Sequence, residues 1–190
     1  LKYPVKFVEN VRRVELRGEA YFEVSKVTSA GGTKIPFVVD TSTEQVEVLG
    51  TRFNINSYDD EGSVATTLLE GSVRVSATQN DHQSSGGSLL LIPDQQSVLS
   101  GGKLILRKVN AEEMIAWKDG YFSFDHADIK TIMRQLARWY DLEVIYEGEV
   151  SPTTFSGKVY RNMNLSKVLE VLAFSQVNFR IEGKKIMIIS

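Results

Sequence analysis

Two segments near the C-terminus repeat one pattern at an offset of 36 residues: DIKTIMRQLARWYDLEVIY (128–146) and NLSKVLEVLAFSQVNFRI (164–181). Asp128 aligns with Asn164, and both residue types favour the N-cap position because a short side-chain oxygen can accept from the first helical amides. Ile129, Ile132, Met133, Leu136 and Ala137 align with Leu165, Val168, Leu169, Leu172 and Ala173. That is an i, i+3, i+4, i+7, i+8 apolar stripe, written twice. Each predicted helix is preceded by a strand pattern, YFSF or TFSGKV, and followed by another, LEVIYE or VNFRIE; a last strand, KIMIIS, follows the turn at Gly183. The tail therefore reads as two βαβ repeats in a small α+β domain. One short helix covers only part of a small sheet, and two packed units would bury both stripes together.

Residues 5–109 have a different period. Ala20, Phe22 and Val24 alternate with Glu19, Tyr21 and Glu23; Phe53 and Ile55 alternate with Arg52, Asn54 and Asn56; Val73 and Val75 alternate with Ser72, Arg74 and Ser76. Alternation at this period predicts half-buried strands. Further strands are expected at 37–39, 46–49, 65–69, 89–92, 97–99 and 103–109, with glycines between them. Gly101-Gly102 within VLSGGKLIL predicts a tight hairpin. Closely spaced strands of this kind predict an all-β domain, a β-sandwich or short β-solenoid. The polar run 76–88 reads as a loop, and NAEEMIAWKDG (110–120) as one or two helical turns with Asn110 as N-cap and Gly120 as stop. The boundary is placed near residue 118, giving domains 1–118 and 119–190.

Chemistry is sparse. The chain has no cysteine, which excludes thiol catalysis, disulfides and the common zinc sites. A formal net charge of −2 offers no basic field for nucleic acid or anionic lipid. His82 and His126 have no partner histidine or ligand-spaced carboxylates, and no Walker, GxGxxG or GxSxG motif occurs. Neither a cofactor nor a metal is expected, and the reading is not an enzyme. Trp117 reads as a core residue at the domain junction and Trp139 as the end of a helix stripe. No apolar run approaches the roughly 20 residues of a membrane span. The chain starts at Leu1 rather than Met, which reads as a fragment or mature form.

RGEAYFEV, PFVVDT, VEVLGTRFNI, LLEGSVRV and PDQQSVLS, in this order, resemble the periplasmic part of the FecR family of anti-sigma factors. AWKDGYFSFDHADIKTIMRQLARWYDLEVIY extends the likeness into the C-terminal domain typical of Bacteroidetes members. The resemblance implies a non-catalytic periplasmic portion of an inner-membrane protein. Such a protein senses a TonB-dependent outer-membrane transporter through that transporter's N-terminal signalling domain. Through a cytoplasmic region not contained in this sequence, it controls an extracytoplasmic-function (ECF) sigma factor. The resemblance also implies that the duplicated tail is like the secretin/TonB short N-terminal domain.

Small sheets leave open edges, which are templates for strand addition. Strand 154–160 is the expected docking edge, with Phe155, Val159 and Tyr160 as anchors and Lys158 among them. Lys130, Arg134 and Arg138, at i, i+4, i+8, form a basic stripe expected to supplement it electrostatically. The second helix has Ser166, Glu170 and Phe174 at the matching positions. Rival readings are a carbohydrate-binding module using Tyr21, Tyr58 or Tyr121, and a secretin-like structural component.

Overall fold

The alternating segments form ten strands: β1 (Arg12–Glu15), β2 (Gly18–Val24), β3 (Phe37–Asp40), β4 (Glu44–Val48), β5 (Thr51–Ser57), β6 (Val64–Glu70), β7 (Val73–Ala77), β8 (Ser88–Leu91), β9 (Gln95–Ser100) and β10 (Lys103–Lys108). They belong to a computed structural model that describes residues 1–7, 10–78, 87–148, 150, 152–173 and 177–189. The chain divides into two compact units, Leu1–Ile115 and Ala116–Ser190. In the first, one sheet has the order β1-β3-β4-β7-β8 and the other β10-β9-β6-β5-β2. Neither sheet closes on itself. Every neighbouring pair is antiparallel except β1 with β3.

Period two explains the core. Val46 and Val48 of β4, Val73 and Val75 of β7, Phe53 and Ile55 of β5, and Val64 and Leu68 of β6 all enter one buried cluster. Phe22 stacks on Phe53 with ring centroids 5.0 Å apart. Two sheets sharing one core make a sandwich; a solenoid would need stacked, repeated coils. The hairpin between β9 and β10 places Gly101 at φ 55° and Gly102 at φ 76°. Two consecutive positive φ values define a primed turn, which glycine adopts without steric cost.

Some local expectations are corrected. β1 is absent from the sequence reading because RRVE offers one inward residue, Val14, and no visible alternation. The one or two helical turns expected over 110–120 are, as read, α1 (Ala111–Met114) and a 3-10 turn at Ala116–Asp119. The Asn110 side chain caps no backbone amide; its Nδ2 donates instead to Glu113 Oε1 at 3.1 Å, while its main-chain carbonyl accepts from the Glu113 and Met114 amides. Most of the polar run 76–88, with His82, lies outside the described residues.

The second unit runs β11 (Tyr121–Asp128), α2 (Ile129–Tyr140), β12 (Glu143–Glu147), β13 (Thr154–Tyr160), α3 (Leu165–Ala173), β14 (Asn178–Glu182), β15 (Lys185–Ile189). The two strands of each repeat separate. β11 pairs with β13 in a two-stranded antiparallel sheet, while β12 and β14 flank β15 in a three-stranded one. Ile129, Ile132, Met133 and Leu136 of α2 join Val168, Leu169 and Leu172 of α3 in one buried cluster with Phe122, Phe124, Ile186 and Ile188. Both helix stripes and both sheets thus share a core that neither repeat could build alone. Among the described residues, no helix is long and apolar enough to cross a membrane. Phe174 lies outside the described residues.

Candidate partner-docking edge

The sheet of β11 and β13 follows from local sequence signals at both ends. Gly120, at φ 83°, stops the 3-10 turn and starts β11. At the other end Asp128 Oδ1 accepts from the Thr131 amide at 2.7 Å and starts α2. That hydrogen bond, with the neighbouring Arg134 and Lys130 charges, holds the Asp128 carboxyl below its usual range. Between them the ladder slips at a bulge after Phe124. There His126 takes φ 46°, and its amide donates to Ser156 Oγ at 2.9 Å. Asp125 Oδ1 lies 2.7 Å from His126 Nδ1, and both side chains are exposed.

The ladder decides which groups of β13 face outward. The Arg161 amide donates to the Gly120 carbonyl at 2.8 Å. Antiparallel pairs alternate between bonded and non-bonded, so Phe122–Val159 is bonded, while Ser123–Lys158 and Tyr121–Tyr160 are not. The Val159 amide therefore points into the sheet. The amide and carbonyl of Lys158 and the amide of Tyr160 point to the free edge. The Tyr160 carbonyl is taken by the Met163 amide at 3.3 Å.

Side chains divide the same way. Phe155 and Val159 are half-buried and pack on the core cluster, which removes them as free anchors. Lys158 is exposed and Tyr160 is 53% exposed. The Tyr160 ring lies 4.5 Å from that of Tyr121, and their shared hydrogen bond pushes the Tyr121 phenol above its usual range. Arg161, not singled out by the sequence, stiffens this end. Its guanidinium sits over the rings of Phe122 (4.7 Å) and Trp139 (5.0 Å), and its Nε donates to the Tyr121 carbonyl at 3.1 Å. Trp139 Nε1 donates to the Arg161 carbonyl at 2.8 Å, and Tyr140 Oη to that of Met163 at 2.6 Å. No periodic signal marks Arg161; only its position just beyond a strand end does.

The basic stripe is not a bare row of cations. Lys130 is exposed, with Nζ 6.0 Å from the Tyr146 ring of β12. Arg134 is half-buried and donates to Thr131 Oγ1 at 3.0 Å; Arg138 is half-buried and also engaged. At Lys130 the stripe thus runs beside β12, in the sheet that does not contain β13. Tyr21 and Tyr58 lie in the first unit and Tyr121 in the second, and each is half-buried.

One strongly perturbed group lies elsewhere. Glu44 is fully buried between the sheets of the first unit, and burial pushes its carboxyl up to about 7, against the opposing hydrogen bond from Thr66 Oγ1 at 2.5 Å. Among the described residues, its Oε2 and the Oγ of Ser97, which sits across from Thr66, have no hydrogen-bond partner. A buried glutamate shares the parity of Val46 and Val48, and that was the signal available in the sequence. Among the described residues no group of acidic, histidine or cysteine side chains is placed to hold a metal.

Comparison with known proteins fits both units. A family model described as FecR protein matches residues 2–74, and one described as FecR, C-terminal matches residues 121–188. Two crystal structures of a candidate anti-sigma factor from Parabacteroides distasonis ATCC 8503 resemble the chain. The one at 1.65 Å resolution has TM-score 0.82 and 28% identity, covering 98% of this chain and 84% of that one. The one at 2.50 Å has TM-score 0.81 and 28% identity, covering 99% and 84%. No curated protein matches.

Proposed function

This chain belongs to the FecR family, and we propose that it is the periplasmic sensing part of a transmembrane anti-sigma factor. In this reading it responds to a TonB-dependent outer-membrane transporter, and a cytoplasmic region of the same protein controls an ECF sigma factor. The second unit, with its repeats interlocked across two small sheets, serves as an STN-like docking domain, and the first as the module between it and the membrane. Its action is binding, not catalysis.

The observation that carries the docking role is the free edge of β13, where the Lys158 and Tyr160 amides face away from β11. Outward amides beside an exposed lysine and tyrosine suit a partner strand that adds to the sheet. The transporter's N-terminal signalling domain is the proposed occupant. Lys158 is the exposed cation on the edge itself, and the stripe of Lys130, Arg134 and Arg138 would act on the partner only at a distance, since at Lys130 it runs beside β12.

The test is a calorimetric titration of the full chain with the signalling domain of its partner transporter. Saturable binding is expected near micromolar strength, about −8 kcal/mol. Lys158→Pro removes an outward amide and spares the bonds to β11, so it is expected to weaken binding about tenfold or more. Val159→Pro is the wrong probe, because it breaks a bond within the sheet. Unchanged binding by a folded Lys158→Pro variant would move the site off β13; no binding by the native chain would remove the transporter from the proposal.

A further inference from the structure

The two ends of the sandwich in the first unit are finished differently. At one end β1 is covered by the chain itself. The Lys2 amide donates to the Glu15 carbonyl at 2.8 Å, and the Glu15 amide to the Lys2 carbonyl at 2.9 Å. The Arg12 guanidinium ties the same end to the carbonyls of Ser25 and Ile35, both at 3.1 Å. At the other end β8 and β10 are the last strands of their sheets and come together without pairing.

The register of β10 fixes what it presents. The Val109 amide donates to the Asp94 carbonyl at 2.9 Å, which makes that a bonded pair. Stepping back by twos, Arg107–Gln96, Ile105–Val98 and Lys103–Ser100 are bonded, while Leu104, Leu106 and Lys108 turn their main-chain groups outward. On this edge strand Ile105 and Leu106 are each 45% exposed. Lys103, Arg107 and Lys108 are exposed too, and among the described residues they have no carboxylate within ion-pair distance. Lysines alone would protect an edge from unwanted pairing. Two exposed aliphatic side chains between those cations make the edge less protected and suit it to a partner strand.

We propose that the free edge of β10 is a second docking strand, which receives an extended acidic segment of another protein by strand addition. The geometry sets the pattern of that segment. On the outer face of the sheet, Lys103 and Arg107 flank Ile105, so the guest strand carries carboxylates at both ends and an aliphatic residue between them. On the inner rim, Leu104 and Leu106 meet two further aliphatic residues. The guest therefore reads acidic, aliphatic, aliphatic, aliphatic, acidic, a pattern that fits in either strand direction. Charge steers and orients it, and the apolar centre holds it.

The experiment titrates the ¹⁵N-labelled full chain with the peptide Ser-Glu-Leu-Val-Leu-Glu-Ser and with the same peptide carrying Lys for Glu. The acidic peptide is expected to shift amides of β10 and its neighbours β8 and β9, saturably, and less so as salt rises from roughly 0.05 to 0.5 M. The basic peptide is expected to bind about tenfold more weakly or not at all. Leu106→Pro removes an outward amide without touching the pairing to β9, and Arg107→Glu reverses one charge. Each is expected to weaken the acidic peptide by about tenfold while leaving the other amide positions unchanged. Four outcomes overturn the proposal: no saturable shift at millimolar peptide, equal binding of the two peptides, unaltered binding by both folded variants, or shifts mapping outside this rim. A native chain that dimerises through β10, with both variants monomeric, would make a second copy the occupant and equally overturn the acidic guest.

Discussion

The two units solve the burial problem in opposite ways. The sandwich uses two five-stranded sheets, and its interior is deep enough to hold Glu44, Thr66 and Ser97 at zero exposure. The tail unit has sheets of two and three strands closed by two helices, and among the described residues its buried side chains are apolar. A wide sheet has few edges for its area, so the sandwich can tolerate a buried carboxyl. A small sheet is mostly edge, so a larger share of its main-chain groups is left unpaired.

The largest expected effects break each core at its centre. Phe53→Ala in the sandwich and Phe122→Ala in the tail unit remove fully buried rings and are each expected to cost about 3–5 kcal/mol. Phe122 is ringed by Phe124, Trp139 and Tyr140 at 6.2–6.3 Å, so its loss should be felt through most of the smaller core. Hydrogen exchange, read separately for the two units, checks this: lost protection should concentrate in the unit that carries the substitution.

Next comes pH. Glu44 ionises at about 7 in the folded sandwich, against 4.5 for the ordinary value. Between these values the folded chain holds the proton and the unfolded chain releases it. The contribution of Glu44 to stability is therefore fully present below about 4.5 and is lost as pH rises through about 7, by up to about 3 kcal/mol. Glu44→Gln should flatten that slope in chemical denaturation, with little change at acidic pH. A slope that persists in the variant would assign the pH dependence to other groups.

Two smaller effects sharpen the contrast. Asp128→Ala removes the cap of α2 and is expected to destabilise the tail unit by about 1 kcal/mol, seen as a loss of helical circular dichroism at lower denaturant. Arg13→Ala breaks a surface ion pair in which Nη1 lies 2.6 Å from Asp40 Oδ2, and should cost under about 1 kcal/mol. Its midpoint should barely move, in contrast with every substitution above.

Much of this was legible because period and face are local properties. The stripes Ile129-Ile132-Met133-Leu136 and Val168-Leu169-Leu172 are buried as the 3.6-residue period requires. The alternation through Phe53 and Ile55 likewise marks the inner face of β5. The candidate docking edge was only half legible. The strand Thr154–Tyr160 could be read, and so could the parity that separates Phe155 and Val159 from Lys158 and Tyr160. Which amides were free could not, because that depends on the partner strand and its register. Arg161 was missed because its role, stacking between Phe122 and Trp139, exists only once β11, β13 and α2 have met.

By itself the sequence determined where strands and helices form, where the period changes, and which residues turn inward, since these follow from neighbouring side chains along one chain. Only the tertiary structure decided that the two repeats exchange strands and that β10 and β13 end their sheets. Pairing joins residues distant in sequence, and the free edge of a strand is defined by the neighbour it does not have.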